Sequence, residues 1–321
     1  MKQISFLLTG GKLKPTSLFG AIEVFEKANQ FLHKKGEGPY YEIQLVGDEF
    51  GQPVLNSFFS LNSLKSISEV KKTDCIIIPA FEPEENAARK YANALAWVVD
   101  QYKSGTEVAS LCTGAFLLAS SGLLDDKICS THWKAEAAFK RMFPNLKLAT
   151  DKIITDHNGI YTAGGGMSAF NLCLYLVEKY NGRETALYCS KVLQLDIERQ
   201  SQAPFSIFSG LKSHADDTIR DIQEFIESNI EEKITVDLLA AQCHMDRVNF
   251  SRRFKKATQI PPFDYIQQVK MEAAKRELEA GRKNVNEVMY SVGYVDIKAF
   301  RTVFKKVAGL SPTEYKARFS H

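Results

Sequence analysis

Along the first half of the chain, short apolar runs alternate with longer stretches of helical period, and this alternation predicts strands and helices in turn. Ile4 to Leu8 reads as a buried strand, followed by a turn at Gly10-Gly11 and a helix over about 17–33. Residues 42–46 form the next strand, and 49–59 a hairpin excursion. Within 72–79 the run Cys75-Ile76-Ile77-Ile78 has no polar alternation, the pattern of a parallel strand covered on both faces. A helix over about 84–103, a strand at 107–111 and a further helix come next, then strands at 147–149, 152–155 and 160–162. The glycine turn Gly164 to Gly166 leads into helices over about 167–180 and 184–195. Strands separated by helices predict an α/β sandwich with a mostly parallel sheet.

The pattern changes beyond residue 197. Residues 198–213 have no sustained period and carry Pro204, Gly210 and several serines, so they read as a linker between an α/β domain, 1–197, and an all-α domain, 214–321. Residues 216–228 predict a helix with Ile219, Ile222, Phe225 and Ile226 on one side. The remainder of the chain is one unit written twice: an offset of 50 matches Asp246 with Asp296, Phe250 with Phe300, Phe254 with Phe304, Pro262 with Pro312 and Tyr265 with Tyr315. The same offset pairs Leu238-Leu239 with Val288-Met289 as the apolar positions of a short first helix. In each copy an aspartate then caps a second helix whose two phenylalanines, four residues apart, share a buried face. A longer central helix over about 262–280 joins the two helix-turn-helix units.

Charge gives the repeat a partner class. Residues 244–321 hold 16 Lys or Arg against 8 Asp or Glu, a surplus of +8 that leaves −5 for the rest of a chain of net charge +3. A basic helical repeat whose apolar residues are committed to a core suits double-stranded DNA rather than a membrane. The N-terminal apolar run is too short to span a bilayer and lacks a signal-peptide pattern, so a cytoplasmic location is expected. The six cysteines form no CxxC pair, so no metal, cofactor or disulfide framework is expected.

A step of about 100° per residue turns Val248 and Arg252 outward on the first copy's second helix, with Asn249 and Lys255 less centrally placed and Ser251 on the flank. On the second copy it turns Lys298 and Thr302 outward, with Ala299 and Arg301 to either side. Long donors at these positions reach base edges or phosphates, and Val248 or Ala299 can meet a thymine methyl. The stretch VGYVDIKAFRTVFKKVAGLSPTEYKARF closely resembles the second helix-turn-helix of AraC/XylS-type regulators, and the upstream copy resembles the first. The resemblance implies two reading helices in adjacent major grooves, with base-reading positions at Val248, Ser251, Arg252, Ile297, Lys298, Ala299, Arg301 and Thr302. One departure is visible: Gln259-Ile260-Pro261-Pro262 stands where the second copy has Gly309-Leu310-Ser311-Pro312, which implies a less sharp turn.

In the first domain, Cys112 falls directly after a strand and before a helix that carries Gly114, a strand-to-helix elbow at which backbone amides can lower a thiol pKa. His132 lies 20 residues on and could meet it across the sheet edge. An ordinary buried cysteine accounts for the same residues. The glycine turn could cradle an anion, but it lacks the spacing of either phosphate fingerprint, and a tight helix entry bordering a small-molecule pocket is the preferred reading. CTGAFLLA, GLLDD and THW are similar to the DJ-1/PfpI branch of the class I glutamine amidotransferase-like superfamily, which implies a flavodoxin-like sandwich. Active members carry an acidic residue in the loop after the first strand; here that loop reads Thr9-Gly10-Gly11-Lys12. The expectation is a chain that is not an enzyme, with an effector pocket near Gly11, Cys112, Thr113, His132 and Gly165. The alternative is a cysteine-dependent amidase or hydrolase, or a thiol-based redox or electrophile sensor, using Cys112 and His132. Together the two halves resemble GlxA-type transcriptional regulators. That architecture implies a DNA-binding regulator, a small-molecule effector, a homodimer, and RNA polymerase as a further candidate partner.

Overall fold

The run Cys75-Ile76-Ile77-Ile78 is the middle strand of a seven-stranded sheet and is wholly buried. The structure is a computed structural model that describes residues 1–48 and 64–320, so the hairpin expected at 49–59 lies outside the described residues. In chain order the elements of the first unit, Met1–Gln202, begin with β1 (Lys2–Leu8), α1 (Pro15–Lys34), β2 (Tyr41–Gly47), β3 (Lys65–Ser66) and β4 (Cys75–Ile78). They continue with α2 (Ala87–Lys90), α3 (Ala92–Lys103), β5 (Glu107–Ser110), α4 (Gly114–Ser120), β6 (Ile128–Cys129), α5 (Glu136–Met142) and β7 (Lys147–Leu148). β8 (Ile154–His157), β9 (Ile160–Ala163) and α6 (Ala169–Leu193) complete them.

The sheet order is β3-β2-β1-β4-β5-β9-β8, with every pairing parallel except β8 with β9. Helices α1 and α6 pack on each other, while α3 and α4 pack on one another and on β5. Strands buried along both faces can be continuously apolar, which is why the isoleucine run reads as it does.

Three sequence expectations change. The helix expected over 84–103 is two helices broken at Tyr91 (φ −114°, ψ 29°), whose hydroxyl donates to Glu84 Oε1 at 2.8 Å. Strand 147–149 belongs to a separate two-stranded sheet of β6 and β7. The strand expected at 152–155 is shifted to Ile154–His157, because Asn158-Gly159 (φ 52° and 81°) make a two-residue hairpin that fixes its register with β9. The two helices expected after the glycine turn are found as such, on either side of a non-helical Gly182 (φ 80°, ψ 167°) within Ala169–Leu193.

The second unit, Ala203–His321, is all helical. It contains α7 (Asp217–Ser228), α8 (Val236–Gln242), α9 (Arg247–Thr258), α10 (Pro262–Glu279), α11 (Val285–Ser291), α12 (Ile297–Ala308) and α13 (Pro312–Phe319). Two separate apolar cores share α10. Tyr265, Ile266 and Val269 enter the first with Phe250 and Phe254; Met271, Ala274 and Leu278 enter the second with Phe300 and Phe304. Full burial of a Phe side chain contributes roughly 1.5–3 kcal/mol, so each pair is a main anchor of its second helix.

The repeat is not in constant register. Buried Leu239 and Ala240 in α8 correspond to buried Val288 and Met289 in α11, an offset of 49, and Leu238 is exposed. The caps agree: His244 N donates to Ala241 O as Gly293 N does to Tyr290 O, and Met245 N to Ala240 O as Tyr294 N does to Met289 O. From Asp246 and Asp296 onward the offset is 50, so the second turn holds one extra residue, Val295, which is 87% exposed. The turn after α9 is as sharp as its counterpart: Gln259 (φ 66°) takes the same left-handed conformation as Gly309 (φ 71°). His244 (φ 52°) likewise matches Gly293 (φ 73°).

A side chain in the left-handed region costs about 1–2 kcal/mol, partly offset by the about 0.5–1 kcal/mol entropic cost of placing a glycine. His244→Gly and Gln259→Gly are therefore each expected to raise the thermal unfolding midpoint of the full chain by a few degrees, and Gly309→Ala to lower it. A fall in both glycine variants would show that these side chains contribute more than their backbone strain costs.

Candidate nucleic-acid interface and N-terminal elbow

Two short helices are presented in the same way by two aromatic stacks. Phe250 and Phe254 lie with ring centroids 5.7 Å apart, and Phe254 meets Tyr265 edge-on at 5.3 Å. Phe300, Phe304 and Tyr315 repeat this at 5.8 and 5.5 Å. Each tyrosine hydroxyl donates to a glutamate, Tyr265 to Glu227 at 2.9 Å and Tyr315 to Glu279 at 2.6 Å. The aspartate caps hold as expected: Asp246 Oδ1 accepts from Val248 N and Asn249 N at 2.9 Å, and Asp296 Oδ1 accepts from Ala299 N at 2.7 Å.

With the phenylalanines inward, α9 exposes Val248, Asn249, Arg252 and Lys255, with Ser251 half-buried. Arg252 Nη2 donates to Asn249 Oδ1 at 2.9 Å, so these two side chains form one polar surface. Helix α12 exposes Lys298, Ala299, Arg301 and Thr302, and Thr302 Oγ1 donates to Lys298 O at 2.8 Å. Ile297 is half-buried against the second core rather than wholly outward. Lys305 and Lys306 extend the positive surface along the last turn of α12, where cations complement the helix dipole.

Arg253 has a different task from its neighbour. Its guanidinium pairs in bidentate fashion with Asp216, Nε to Oδ2 at 2.7 Å and Nη2 to Oδ1 at 2.8 Å, while Asp216 also caps α7 through Ile219 N. The pair ties α9 to α7. The Arg253 hydrogen bonds hold the Asp216 carboxyl below its ordinary range.

In the first unit the elbow exists: Cys112 sits between β5 and α4 with φ 55° and is 5% exposed. Its carbonyl accepts from Thr131 Oγ1 at 2.8 Å, which brings the segment before His132 to the elbow. His132 Nδ1 accepts from Lys134 N at 3.1 Å, which leaves the proton of the neutral imidazole on Nε2. Burial, aided by Lys14 and Lys134, pushes its pKa down and favours that neutral form. Among the described residues no hydrogen bond joins Cys112 to His132.

The side chain of His132 packs against Gly165, where an added Cβ would stand 2.0 Å from Cδ2. Gln202 clasps both segments. Its Nε2 donates to Thr131 O at 2.8 Å, and its Oε1 accepts from Gly165 N at 3.2 Å and Trp133 N at 3.3 Å. Nothing in the sequence marks Gln202, which falls inside the segment read as a linker.

Gly11 and Thr113 belong to another place. They line a cavity of about 20 Å³ with Thr9, Phe81, Glu84 and Tyr91, room for about one water. Glu84 supplies a carboxylate there, from the loop after β4, and accepts from Tyr91 and Lys90. The five residues expected in one pocket thus fall into two neighbourhoods, Gly11 with Thr113 and His132 with Gly165, and Cys112 is linked to the second through Thr131. Among the described residues no cluster of His, Cys, Asp or Glu could hold a metal ion, and no helix is long and apolar enough to cross a membrane.

These two units match known proteins separately and together. The DJ-1/PfpI family matches residues 19–179, and a helix-turn-helix domain matches 239–318. The chain belongs to the DJ-1/PfpI family, with the helix-turn-helix domain following in the same polypeptide. It is a DNA-binding helix-turn-helix transcriptional regulator of the AraC/XylS type, in which the α/β unit is an accessory N-terminal domain. The HTH-type transcriptional regulator GbdR of Pseudomonas aeruginosa is 26% identical over 303 residues, 93% of this chain and 80% of that protein. The HTH-type transcriptional regulator CdhR of the same species is 24% identical over 316 residues, 97% of this chain and 90% of that protein. The crystal structure of an AraC family transcriptional regulator from Pseudomonas putida matches the fold with a TM-score of 0.51 at 19% identity, over 60% of this chain and 100% of that one.

Two measurements test the side-chain placements. Because the folded pKa of Asp216 is depressed, its contribution to stability is present above the ordinary carboxylate pKa of about 3.9 and is lost as pH falls through the folded value. Asp216→Asn, which keeps a capping side chain, should lower stability in urea unfolding more at pH 7 than at about pH 3, where the contribution has begun to shrink. An equal loss at both pH values would mean that the ion pair with Arg253 is not the source. For the thiols, Cys243 is half-buried and the other five cysteines are buried. Cys243 should therefore be alkylated first in the native protein and Cys112 only slowly. Rapid modification of Cys112 would identify a reactive elbow.

Proposed function

We propose that the C-terminal unit holds two discrete helix-turn-helix units whose second helices, α9 and α12, enter adjacent major grooves of one DNA duplex. The observation that carries this is the duplicated presentation: two equivalent aromatic stacks leave Val248, Asn249, Arg252 and Lys255 on one helix, and Lys298, Ala299, Arg301 and Thr302 on the other, free to reach base edges. Ser251 and half-buried Ile297 stand at the flanks of these surfaces. Reading helices in register on one face of a duplex would lie about 34 Å apart.

In this reading the protein is a cytoplasmic, homodimeric regulator of GlxA-like organisation, and the N-terminal domain is a sensor of a small molecule rather than an enzyme. Burial of Cys112 and the commitment of His132 Nδ1 to Lys134 N favour the sensor over a cysteine hydrolase. An effector that binds one arrangement of the sensor better than another would shift the population of DNA-competent molecules.

Selection of bound fragments from genomic DNA tests the whole reading, since it should return a recurrent site with two half-contacts. On that site Arg252→Ala should relax base preference in one half and Lys298→Ala in the other, each by about 1–3 kcal/mol of discrimination. Uniform losses on all sequences would reduce these residues to phosphate contacts. Recovery of fragments with no shared sequence would remove the proposal of specific reading.

A further inference from the structure

The two copies differ at the turn that follows the reading helix, and the difference has a physical source. At Gly309 an added Cβ would lie 3.2 Å from both Ala203 Cβ and Pro204 Cδ, while the first copy carries a full side chain, Gln259, at the same place. The segment that begins at residue 203 packs on the second copy and continues along the unit. Phe205 meets Phe319 edge-on at 5.6 Å, and the Arg318 guanidinium lies 5.0 Å from the Phe205 ring centre. Further on, Ser206 O accepts from Lys275 Nζ, and Phe208 N donates to Glu272 Oε2 at 3.2 Å. Glu272 and Lys275 are a buried pair on α10, 3.0 Å apart. Beyond them Phe208 meets Tyr265 edge-on at 5.3 Å, and Gly210 O accepts from the Tyr265 hydroxyl at 3.0 Å. Residues 203–210 therefore run from the cap of α12 and from α13, past the middle of α10, to the aromatic stack behind α9.

We infer that this segment is a positioning strap that fixes the spacing of the two reading helices, with Phe205 and Gly309 as positioning residues at its second-copy end. The inference rests on the proposal that α9 and α12 read adjacent grooves. Without the strap the two cores are joined through α10 and its packing. With it they have a second connection, anchored on one stack by Phe208 and Gly210 and on the other copy by Ala203, Pro204 and Phe205. A buried ion pair whose charges also bind strap backbone resists sliding, because displacement would take from each buried charge one of its hydrogen bonds. Single strap contacts make no base contact, so their loss should change the tolerated distance between half-sites rather than the base preference within either one.

The test uses the full chain and duplexes built on its selected site, with the spacer between half-contacts lengthened or shortened by one base pair. Wild type should lose about tenfold in affinity for either change, as for a mismatch in a specific site. Phe205→Ala should bind the unaltered site less tightly and discriminate the three spacings by less than about threefold, with base preference retained. Phe205→Leu, which keeps an apolar side chain against Phe319, should restore the wild-type profile. An unchanged spacing profile in Phe205→Ala, with thermal unfolding like that of wild type, would overturn the strap. Thermal unfolding at a lower temperature together with equal losses at all three spacings would also overturn it, since it would make Phe205 merely structural. Absence of any site-specific binding by wild type would instead remove the paired-reader proposal itself.

Discussion

The edge-on contact between a phenylalanine of each reading helix and a tyrosine later in the chain, Phe254 with Tyr265 and Phe304 with Tyr315, is the constraint on which the C-terminal unit depends. A 12-residue helix is marginal in water on its own, and α9 and α12 carry basic residues on their outer faces that would not hold them in place. Their orientation comes from the buried side. Each tyrosine links its reading helix to the next helix, α10 in one copy and α13 in the other, and its hydroxyl is satisfied by a glutamate, which avoids the penalty of an unpartnered buried donor. Because α10 supplies residues to both cores, the placement of one reading helix is transmitted along a continuous rod to the other.

The N-terminal unit uses backbone strain where the C-terminal unit uses packing. Cys112 is held at φ 55°, which costs a non-glycine residue roughly 1–2 kcal/mol. Strain of this kind persists when its surroundings over-determine it. Here they do: Thr131 Oγ1 fixes the Cys112 carbonyl, Thr113 Oγ1 donates to Phe81 O at 2.7 Å, and β5 is parallel-paired on both sides. The elbow geometry is thus compatible with a binding role in which the thiol stays buried. A carboxylate does enter this region, but it comes from the loop after β4: Glu84 Oε1, engaged by Tyr91 and with Lys90 on its other oxygen, lies 3.2 Å from where a Cβ at Gly11 would stand.

The features legible in the sequence are those that depend on spacing along one element. The i,i+4 phenylalanines, the capping aspartates and the isoleucine run of β4 all come from the periods of helix and strand, and the structure places them so. Features that depend on two segments meeting are not legible in this way. The register slip between α8 and α11 hides in a single inserted residue, Val295, because Leu238-Leu239 and Val288-Met289 align equally well as apolar pairs without the cap hydrogen bonds. Gln259 in its left-handed turn carries no propensity signal, and the enrichment of histidine in that region is too general to mark His244 as a turn. Gln202 reads as part of a featureless connection, yet its amide satisfies groups from Thr131, Trp133 and Gly165. Of the residues read as one pocket, Gly11 and Thr113 line a small cavity with Glu84 and Tyr91, while Gly165 packs against His132.

The inequality of the two copies comes from where the rest of the unit touches them. Gly293 is approached by the carbonyl of Glu231 and by Lys270, which buries its ammonium against the carbonyls of Glu232 and Val292; Gly309 is approached by Ala203 and Pro204. Both left-handed turns of the second copy are therefore crowded, and glycine answers the backbone conformation and the lack of room together. The first copy's turns hold full side chains, His244 and Gln259, in the same conformation, so there the conformational cost is met. A duplicated unit that begins with two equivalent surfaces is in this way differentiated from behind: the faces directed at DNA keep similar positions, while the turns that hold them come under different constraints. The second copy is held at its turns by Lys270 on the Val292 carbonyl and by Ala203 and Pro204 beside Gly309. The first is fixed through its core and through the Asp216–Arg253 pair, whose geometry depends on side-chain charge. Acid should consequently loosen the first copy before the second, because the ion pair that adds to its apolar packing on α7 is lost when Asp216 is protonated.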